Sequence, residues 1–168
     1  MDYDPFKTAI KRGGLSRPMK ELLKRDLIKG DILNYGCGYA EDNKWLWEDY
    51  NLQSWAYDKY NLQYKDDFLL DEKYDTVVCF YVLNVISDLK EHDEVVQLLR
   101  RLGKNVYIAV RSDVKAIKPS WKYDEVGLGY WTSTGTYQRF YDKKMVEDLV
   151  GKVEYIVSNS EMKLFKLS

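Results

Sequence analysis

The sequence predicts a three-layer α/β sandwich, in which helices cover a mostly parallel sheet and an antiparallel C-terminal hairpin closes it. Strand-like apolar runs alternate with amphipathic helix patterns along the chain, as in parallel sheets. Residues 76–81 form a continuous apolar run, which is typical of a strand buried on both faces. The length of 168 residues suits one domain. Within it we expect an N-terminal helical cap, a core, a long loop, and a final helix with the hairpin, over residues 1–30, 31–111, 112–141 and 142–168.

The first half of the chain predicts a helix, a strand, a second helix and a second strand, over residues 16–30, 32–35, 41–50 and 55–58. Ser16 is a capping residue, and Pro18 suits the first turn of the first helix. Gly30 stands where a left-handed helix stop is common. The first strand runs into Gly36 and Gly38, so the chain can turn sharply at the carboxyl end of that strand.

The second half begins with the apolar strand and continues with a helix between Asp88 and Gly103. Asp88 and Glu91 have the spacing of a capping box, and apolar residues then repeat on one helical face. A further strand, a short helix and the two hairpin strands are expected over residues 106–110, 142–150, 153–157 and 162–167.

The interval between Asp58 and Asp75 is too short for another strand–helix unit. It holds 16 residues, whereas a helix, a strand and their loops need more than about 20. An extended connection does fit this length. We therefore expect the sheet to lack one edge strand.

Composition excludes several classes of protein. The 26 basic and 27 acidic residues give a net charge of −1, which provides no global attraction to DNA or anionic membranes. Two cysteines and one histidine provide neither a Cys/His zinc cluster nor a disulfide framework, so we expect no metal and a reducing, cytoplasmic location. The sequence starts without the pattern of a signal peptide, and no apolar run has the length of a membrane helix.

Asp58 and the two glycines together favour a nucleoside ligand. Asp58 ends the second strand and follows Gly38 at the spacing that nucleoside sites use between their glycine turn and their acidic residue. There a carboxylate can accept hydrogen bonds from ribose hydroxyls, while the glycines let a ligand approach backbone N–H groups. Taken singly, such glycines are more often tight turns, and such an aspartate is often only a cap.

Glu41 discriminates between nucleoside ligands. It stands where dinucleotide sites carry a third small residue, and its carboxylate would repel a pyrophosphate at the start of the helix. A phosphate-free cationic ligand such as S-adenosylmethionine is therefore favoured, and NAD and FAD are minor alternatives.

These residues resemble the motifs of class I (Rossmann-like) S-adenosylmethionine-dependent methyltransferases. Residues 32–38 resemble motif I, Asp58 matches the ribose-binding acid, and residues 74–86 resemble motif IV. Residues 65–68 resemble the segment in which an acid holds the adenine amino group and an apolar neighbour covers the ring. The likeness covers roughly residues 30–111. It implies S-adenosyl-L-methionine as cofactor, held by Tyr35, Gly36, Cys37, Gly38, Asp58, Lys59, Asp67, Phe68 and Tyr81.

A narrower likeness extends over most of the chain. Residues 7–10, 15–18, 81–86 and 135–141 resemble small methyltransferase-like proteins associated with DNA phosphorothioation systems. That likeness implies a nucleic-acid context. The chain departs from classical base-amino methyltransferases, because residues 81–86 contain no proline.

Methyl transfer needs alignment more than acid–base chemistry, so the candidate catalytic residues are those at the carboxyl ends of the strands. These are Tyr81, Asn84 and Arg111, with Tyr39 nearby as a substrate contact. The alternative, equally weighted, is that Tyr81 packs in the core and Asn84 caps a turn. His92 is expected to be structural, and Cys37 and Cys79 to be small buried apolar residues.

Two further segments are candidates for substrate contact. The aromatic, glycine-containing loop over residues 112–141 would form a substrate lid, with Tyr137, Gln138 and Arg139 as contacts; the alternative is a flap packed over the hairpin. In the basic stretch over residues 11–25, Arg17 could pair with the carboxylate of the methyl donor. The same stretch could contact phosphate backbones, or could be only a solvated helix face.

We therefore expect a methyltransferase that transfers a methyl group in line to a nucleic acid or nucleotide. The alternatives are a small-metabolite methyltransferase and a non-catalytic partner subunit that binds S-adenosylmethionine. S-adenosylhomocysteine, the spent cofactor, is expected to bind in each case.

Overall fold

The computed structural model describes residues 3–168 and contains a mixed sheet of six strands. Four parallel strands come first in the chain, and two antiparallel strands complete the sheet. They are β1 (Ile32–Tyr35), β2 (Ser54–Tyr57), β3 (Tyr74–Phe80), β4 (Gly103–Arg111), β8 (Val153–Ser158) and β9 (Met162–Leu167). Their spatial order is β2-β1-β3-β4-β9-β8, with β9 antiparallel to both β4 and β8. The prediction of a mostly parallel sheet closed by an antiparallel hairpin is confirmed.

Helices cover both faces of this sheet. They are α1 (Arg17–Lys24), α2 (Glu41–Tyr50), α3 (Leu89–Leu102) and α4 (Lys143–Leu149). The helices α3 and α4 bury Leu99 and Val146 in one apolar cluster, and α1 and α2 bury Met19 and Leu46 in the other. Successive residues of β3 point to opposite faces and contribute to both clusters, which gives the three layers that the sequence predicts.

The first helix is shorter than predicted. It ends at Lys24 rather than at Gly30, because Asp26 adopts a left-handed conformation with φ of 54° and its N–H bonds the carbonyl of Leu23. Gly30 is also left-handed, with φ of 61°, and a Cβ there would lie 2.1 Å from a carboxylate oxygen of Asp75. Gly30 therefore allows a close turn onto the start of β3 and does not end the helix.

The missing edge strand is confirmed. Residues 58–73, all of which the structure describes, contain a 3₁₀ turn over Asp67–Asp71 and no strand. Consequently β2 pairs only with β1 and forms the edge of the sheet.

The predicted loop over residues 112–141 contains a second, small sheet that the sequence did not reveal. Its antiparallel strands are β5 (Lys122–Asp124), β6 (Gly129–Trp131) and β7 (Tyr137–Gln138). We call residues 112–141 the flap. Of the helices over residues 3–168, none has the length and apolar character required to cross a bilayer.

Candidate functional site

A cleft of about 1250 Å³ opens at the carboxyl ends of the four parallel strands. It is lined by the turns that follow β1, β2, β3 and β4, by the flap, and by the N-terminal segment over residues 3–16, which we call the strap. Most of the residues predicted as site residues lie in its wall: Arg17, Tyr35, Gly36, Cys37, Gly38, Tyr39, Asp58, Lys59, Tyr81, Asn84, Arg111 and Gln138.

The glycine turn after β1 is held against β2 and β3. The N–H groups of Gly36 and Cys37 both donate to the carbonyl of Tyr57, at 2.8 and 3.0 Å. Gly36 has φ of 72°, and a Cβ there would lie 2.2 Å from a methyl carbon of Val82. Glycine is therefore required at this position by close packing of the turn as well as by backbone conformation.

Asp58 organises the backbone around the cleft. One carboxylate oxygen accepts the N–H of Gly38 at 2.8 Å, and the other accepts the N–H groups of Tyr60 and Asn61 at 2.9 and 3.1 Å. A carboxylate offers about four lone-pair sites. Three are used here, so Asp58 is held rigidly and can accept one further hydrogen bond.

The segment predicted to cover the adenine ring lies outside this cleft. Asp67 accepts a hydrogen bond from the hydroxyl of Tyr57 at 3.1 Å, and Phe68 is 82% exposed. Neither residue lines the cleft, because the 3₁₀ turn that carries them folds beside β2. The structure thus does not place these two residues in the cleft wall with Asp58, and their contact with the cofactor stays a prediction.

The strap forms a wall of the cleft that sequence reasoning missed. The ring of Phe6 packs edge-on against Tyr39 at 5.1 Å, and the ammonium group of Lys11 lies 5.0 Å from the centre of the Tyr39 ring. The strap is attached at both ends, since the hydroxyl of Tyr3 donates to the carbonyl of Val85 and the backbone N–H of Ser16 donates to Asp42 at 2.6 Å. In the sequence, only the basic stretch over residues 11–25 indicated that the N-terminal part of the chain lies near the cleft.

Arg17 lines the cleft and is engaged in an ion pair. Its guanidinium contacts the carboxylate of Glu161. Because a guanidinium has five N–H donors, this ion pair leaves donors on Arg17 for the carboxylate of the methyl donor.

Tyr81 follows β3 in a left-handed conformation, with φ of 60°. This conformation is rare for a residue with a bulky side chain and is often found at functional sites. Its hydroxyl donates to the sulfur of Met162 at 3.1 Å, a weak acceptor. Burial raises the pKa of Tyr81, so its phenol stays protonated at neutral pH and can donate a hydrogen bond.

Asn84 lines the cleft with an unpaired oxygen. Arg111 is held by both carboxylate oxygens of Asp113, at 2.9 and 2.7 Å, and donates to the side-chain oxygen of Gln138 at 3.2 Å. Because that oxygen can only accept, Asn84 faces it with its NH₂ group, at 3.5 Å. This orientation leaves the side-chain oxygen of Asn84 buried without a hydrogen-bond partner.

Two residues predicted as substrate contacts are buried in the protein interior instead. Tyr137 and Arg139 are both 0% exposed, and neither lines the cleft. Arg139 donates to the carbonyl of Gly127 at 2.9 Å and to the carbonyl of Leu83 at 3.0 Å, which joins the flap to the turn after β3. Alternation along β7 turns Gln138 toward the cleft and its neighbours away from it.

His92 is buried beside Arg139 and bonds Tyr141, with 2.7 Å between the imidazole Nε2 and the hydroxyl. Burial, and then the charge of Arg139, lower the pKa of His92 to about 4. The imidazole is neutral at pH 7 and too weakly basic to serve as a general base.

The cysteines carry no nucleophilic chemistry. Burial raises the pKa of Cys37 to about 12, with a further contribution from Asp58, and burial raises the pKa of Cys79. Both are therefore thiols at neutral pH. Among residues 3–168 there is no cluster of histidine, cysteine or acidic side chains that could hold a metal ion.

Comparisons with known proteins identify the fold. No protein-family model and no curated protein matches the sequence. The solved structure of the glycopeptide N-methyltransferase MtfA is similar over 91% of this chain and 94% of its own, with a TM-score of 0.61 and 13% identity. Its complex with (S)-adenosyl-L-methionine has a TM-score of 0.59 and 11% identity, over 94% of this chain and 95% of its own.

A second solved protein gives the same result. Magnesium protoporphyrin IX methyltransferase (ChlM) from Synechocystis PCC 6803 with bound SAH matches 97% of this chain and 92% of its own, with a TM-score of 0.52 and 14% identity. The chain thus has the Rossmann-like fold of S-adenosylmethionine-dependent methyltransferases. The likeness to proteins of DNA phosphorothioation systems stays a prediction.

Proposed function

We propose that this protein is an S-adenosylmethionine-dependent methyltransferase. The observation that carries the proposal is Asp58, fixed beside the Gly36–Gly38 turn in the wall of a large cleft, with one lone-pair site left to accept a ribose hydroxyl. The fold is consistent with it, since the solved structures of similar fold include complexes with S-adenosylmethionine and its demethylated product.

The cleft fits such a cofactor in size and charge. Pockets for ligands of this size span roughly 300–1,000 Å³, and a cleft of about 1250 Å³ leaves room for an acceptor as well. Glu41 and Asp42 line the cleft at the start of α2. Asp42 is paired with Arg12, whereas the negative charge of Glu41 suits a cation without phosphate and disfavours a pyrophosphate.

When bound, the cofactor would supply a methyl group attached to a positively charged sulfur. The protein's own contribution is to hold the cofactor, to align it with the methyl acceptor, and to exclude water. Asp58 would hold the ribose, and the strap would shield the cleft from solvent. Tyr81 offers a hydrogen-bond donor with which to orient the methyl acceptor. Asn84 lines the cleft beside Gln138, which Arg111 holds in place. Alignment of this kind is worth several kcal/mol in a displacement reaction.

We infer that the acceptor is the size of a nucleotide or another small molecule, rather than a nucleic-acid strand. Of the basic residues over 11–25, Arg12, Arg17 and Arg25 are paired with carboxylates. Most flap aromatics pack on each other, as in the pair Tyr123–Tyr130 at 5.1 Å, and Phe140 and Tyr141 are the flap aromatics that line the cleft. MtfA and ChlM are described as acting on a glycopeptide and on magnesium protoporphyrin IX.

Calorimetric titration with S-adenosylhomocysteine tests the proposal. We expect saturable binding that Asp58→Asn weakens by about 1–3 kcal/mol, the contribution of a hydrogen bond to a charged acceptor. Asp71→Asn, in the neighbouring 3₁₀ turn outside the cleft, is the matched control and should bind as the parent does. If the parent protein shows no binding heat and no rise in melting temperature with this ligand, the proposal is wrong.

A radiolabelled methyl-transfer assay separates the remaining alternatives. Methyl transfer to nucleotides or small metabolites would support the acceptor class proposed here. Transfer only to oligonucleotides would show instead that the acceptor is a nucleic-acid strand. A protein that binds the cofactor and labels no acceptor would be a non-catalytic partner subunit.

A further inference from the structure

Glu91 stands in the cleft wall on the same side as the loop that follows Asp58. It lies in the first turn of α3, and one of its carboxylate oxygens accepts hydrogen bonds from the ammonium of Lys59 at 2.6 Å and the hydroxyl of Tyr60 at 3.1 Å. The other oxygen has no hydrogen-bond partner among residues 3–168, and all three side chains line the cleft. A carboxylate fixed through one oxygen thus offers the second to a ligand.

This place in the cleft is where the base of a bound nucleoside would lie. Lys59 and Tyr60 directly follow Asp58, so a base joined to a sugar held by Asp58 lies close to them. The cleft wall also contains apolar side chains that suit the faces of a planar ring: Val95 on the same helix as Glu91, and Val82, Val85 and Ile86 in the turn after β3.

The residues that the motif likeness suggested for this role do not line the cleft. Asp67 bonds Tyr57, and Phe68 points into solvent. The cleft nevertheless contains a carboxylate and an aromatic ring near Asp58, namely those of Glu91 and Tyr60. Glu91 comes from a different element of the fold, the helix α3 that follows β3 in the chain.

We propose that Glu91 selects the purine base of the bound nucleoside by accepting a hydrogen bond from its exocyclic amino group. This inference rests on the proposed function. An ionised carboxylate can only accept hydrogen bonds, and a 6-aminopurine donates from its amino group. A 6-oxopurine would place a carbonyl oxygen against the carboxylate, which leaves both acceptors unpaired and repelling one another. The site should therefore prefer adenosine to inosine derivatives.

Titration of the full chain with S-adenosylhomocysteine and with S-inosylhomocysteine tests this preference by binding alone. We expect the parent protein to bind the adenosine compound about tenfold or more tightly than the inosine compound. In Glu91→Gln the ratio should fall below about threefold, because an amide can turn either its oxygen or its NH₂ group to the base. Glu91→Asp, which withdraws the carboxylate by one methylene, should also reduce the ratio.

Glu94→Gln is the matched control. Glu94 lies further along α3 and does not line the cleft, and its ion pair among residues 3–168 is with Lys90, at 3.9 Å. This variant should keep the full preference, and the melting temperatures of all variants establish that they are folded.

The possible outcomes separate the two proposals. If the parent binds neither compound, the proposed function itself fails. If the parent binds S-adenosylhomocysteine but does not prefer it, or if Glu91→Gln and Glu91→Asp keep the preference, the role of Glu91 is overturned while the function stands. If Asp67→Asn loses the preference for the adenosine compound while the Glu91 variants keep it, the role of Glu91 is also overturned.

Discussion

The two halves of the cleft satisfy their polar groups in different ways. Around the glycine turn, Asp58 is held by backbone N–H groups, the most distant of which belongs to Gly38, 20 residues away. On the flap side, partners are far apart in sequence: Arg139 bonds the carbonyl of Leu83 across 56 residues, and His92 bonds Tyr141 across 49. The glycine side is therefore organised mainly by backbone hydrogen bonds between the ends of neighbouring strands, and the flap side by side-chain hydrogen bonds between more distant elements.

This difference predicts where substitutions act. Changes on the flap side should mainly alter the stability of the fold, because its buried polar network joins distant elements. Changes at the glycine turn should act through backbone conformation and a single close contact. Asn84 lies on the flap side but has an unpaired oxygen, so it is expected to behave unlike its neighbours.

The largest effect is expected for Arg139→Met. The guanidinium is fully buried, has no ion pair in the described part of the chain, and donates to the carbonyls of Gly127 and Leu83. Each hydrogen bond to a charged group contributes about 1.5–3 kcal/mol, so losing both should lower the free energy of unfolding by roughly 3–6 kcal/mol. Chemical denaturation measures this loss. The lysine of Arg139→Lys cannot reach both carbonyls at once, so the stability of this variant should lie between those of the parent and Arg139→Met. A loss below about 1 kcal/mol in Arg139→Met would contradict the assignment.

Acid should destabilise the protein through His92. The fold lowers the pKa of His92 from 6.5 to about 4, so folding favours the neutral imidazole. Its contribution to stability is complete above pH 6.5 and is lost as the pH falls toward 4, reaching about 3 kcal/mol. Between pH 7 and pH 4, the free energy of unfolding should therefore decrease less with pH for His92→Gln than for the parent. Parallel curves would show that the histidine does not contribute.

Gly36→Ala tests the glycine side. The added methyl group would lie 2.2 Å from the side chain of Val82, and the residue would keep φ of 72°. Strain and overpacking each cost at least about 1 kcal/mol, so a loss of about 2 kcal/mol is expected by thermal or chemical unfolding. Gly13→Ala is the control, since no atom lies within 4 Å of its Cβ position. Equal losses of stability in Gly36→Ala and Gly13→Ala would contradict the close packing described for Gly36.

Asn84→Leu should change stability least. A buried unpaired oxygen gives the native state nothing, so we expect the free energy of unfolding to stay within about 1 kcal/mol of the parent or to rise. Asn105→Leu provides the comparison, because the amide of Asn105 donates to the carbonyl of Asp75 at 3.1 Å and its loss should destabilise. If Asn84→Leu proves as destabilising as Asn105→Leu, the oxygen of Asn84 has a structural partner after all.

The elements that could be predicted are those with local signals. Periodicity and caps identified α3 between Asp88 and Gly103, as observed, and the apolar run identified β3. The short interval after Asp58 correctly predicted the missing edge strand, because chain length alone limits what fits there. The end of α1 was missed, since the left-handed conformation of Asp26 has no clear sequence signal.

The parts of the site that could not be predicted depend on distant contacts. The sequence shows that residues 112–141 are rich in aromatics and glycine, but not that β7 turns Gln138 to the cleft and Arg139 to the interior. Nor does it show that the strap forms a wall of the cleft. Glu91 was noted only for its spacing from Asp88, because the sequence does not show that α3 brings it to Lys59 and Tyr60.

The strand order has a consequence for the rate of folding. β8 reaches the large sheet only through β9, and β9 pairs with β4 at positions such as Ile108 and Phe165, which lie far apart in the chain. Contacts of such long range are slow to form because a large loop must close first. The hairpin of β8 and β9 is joined by a short turn and can assemble early. Its docking onto β4 is therefore expected to be among the late steps by which the chain becomes native.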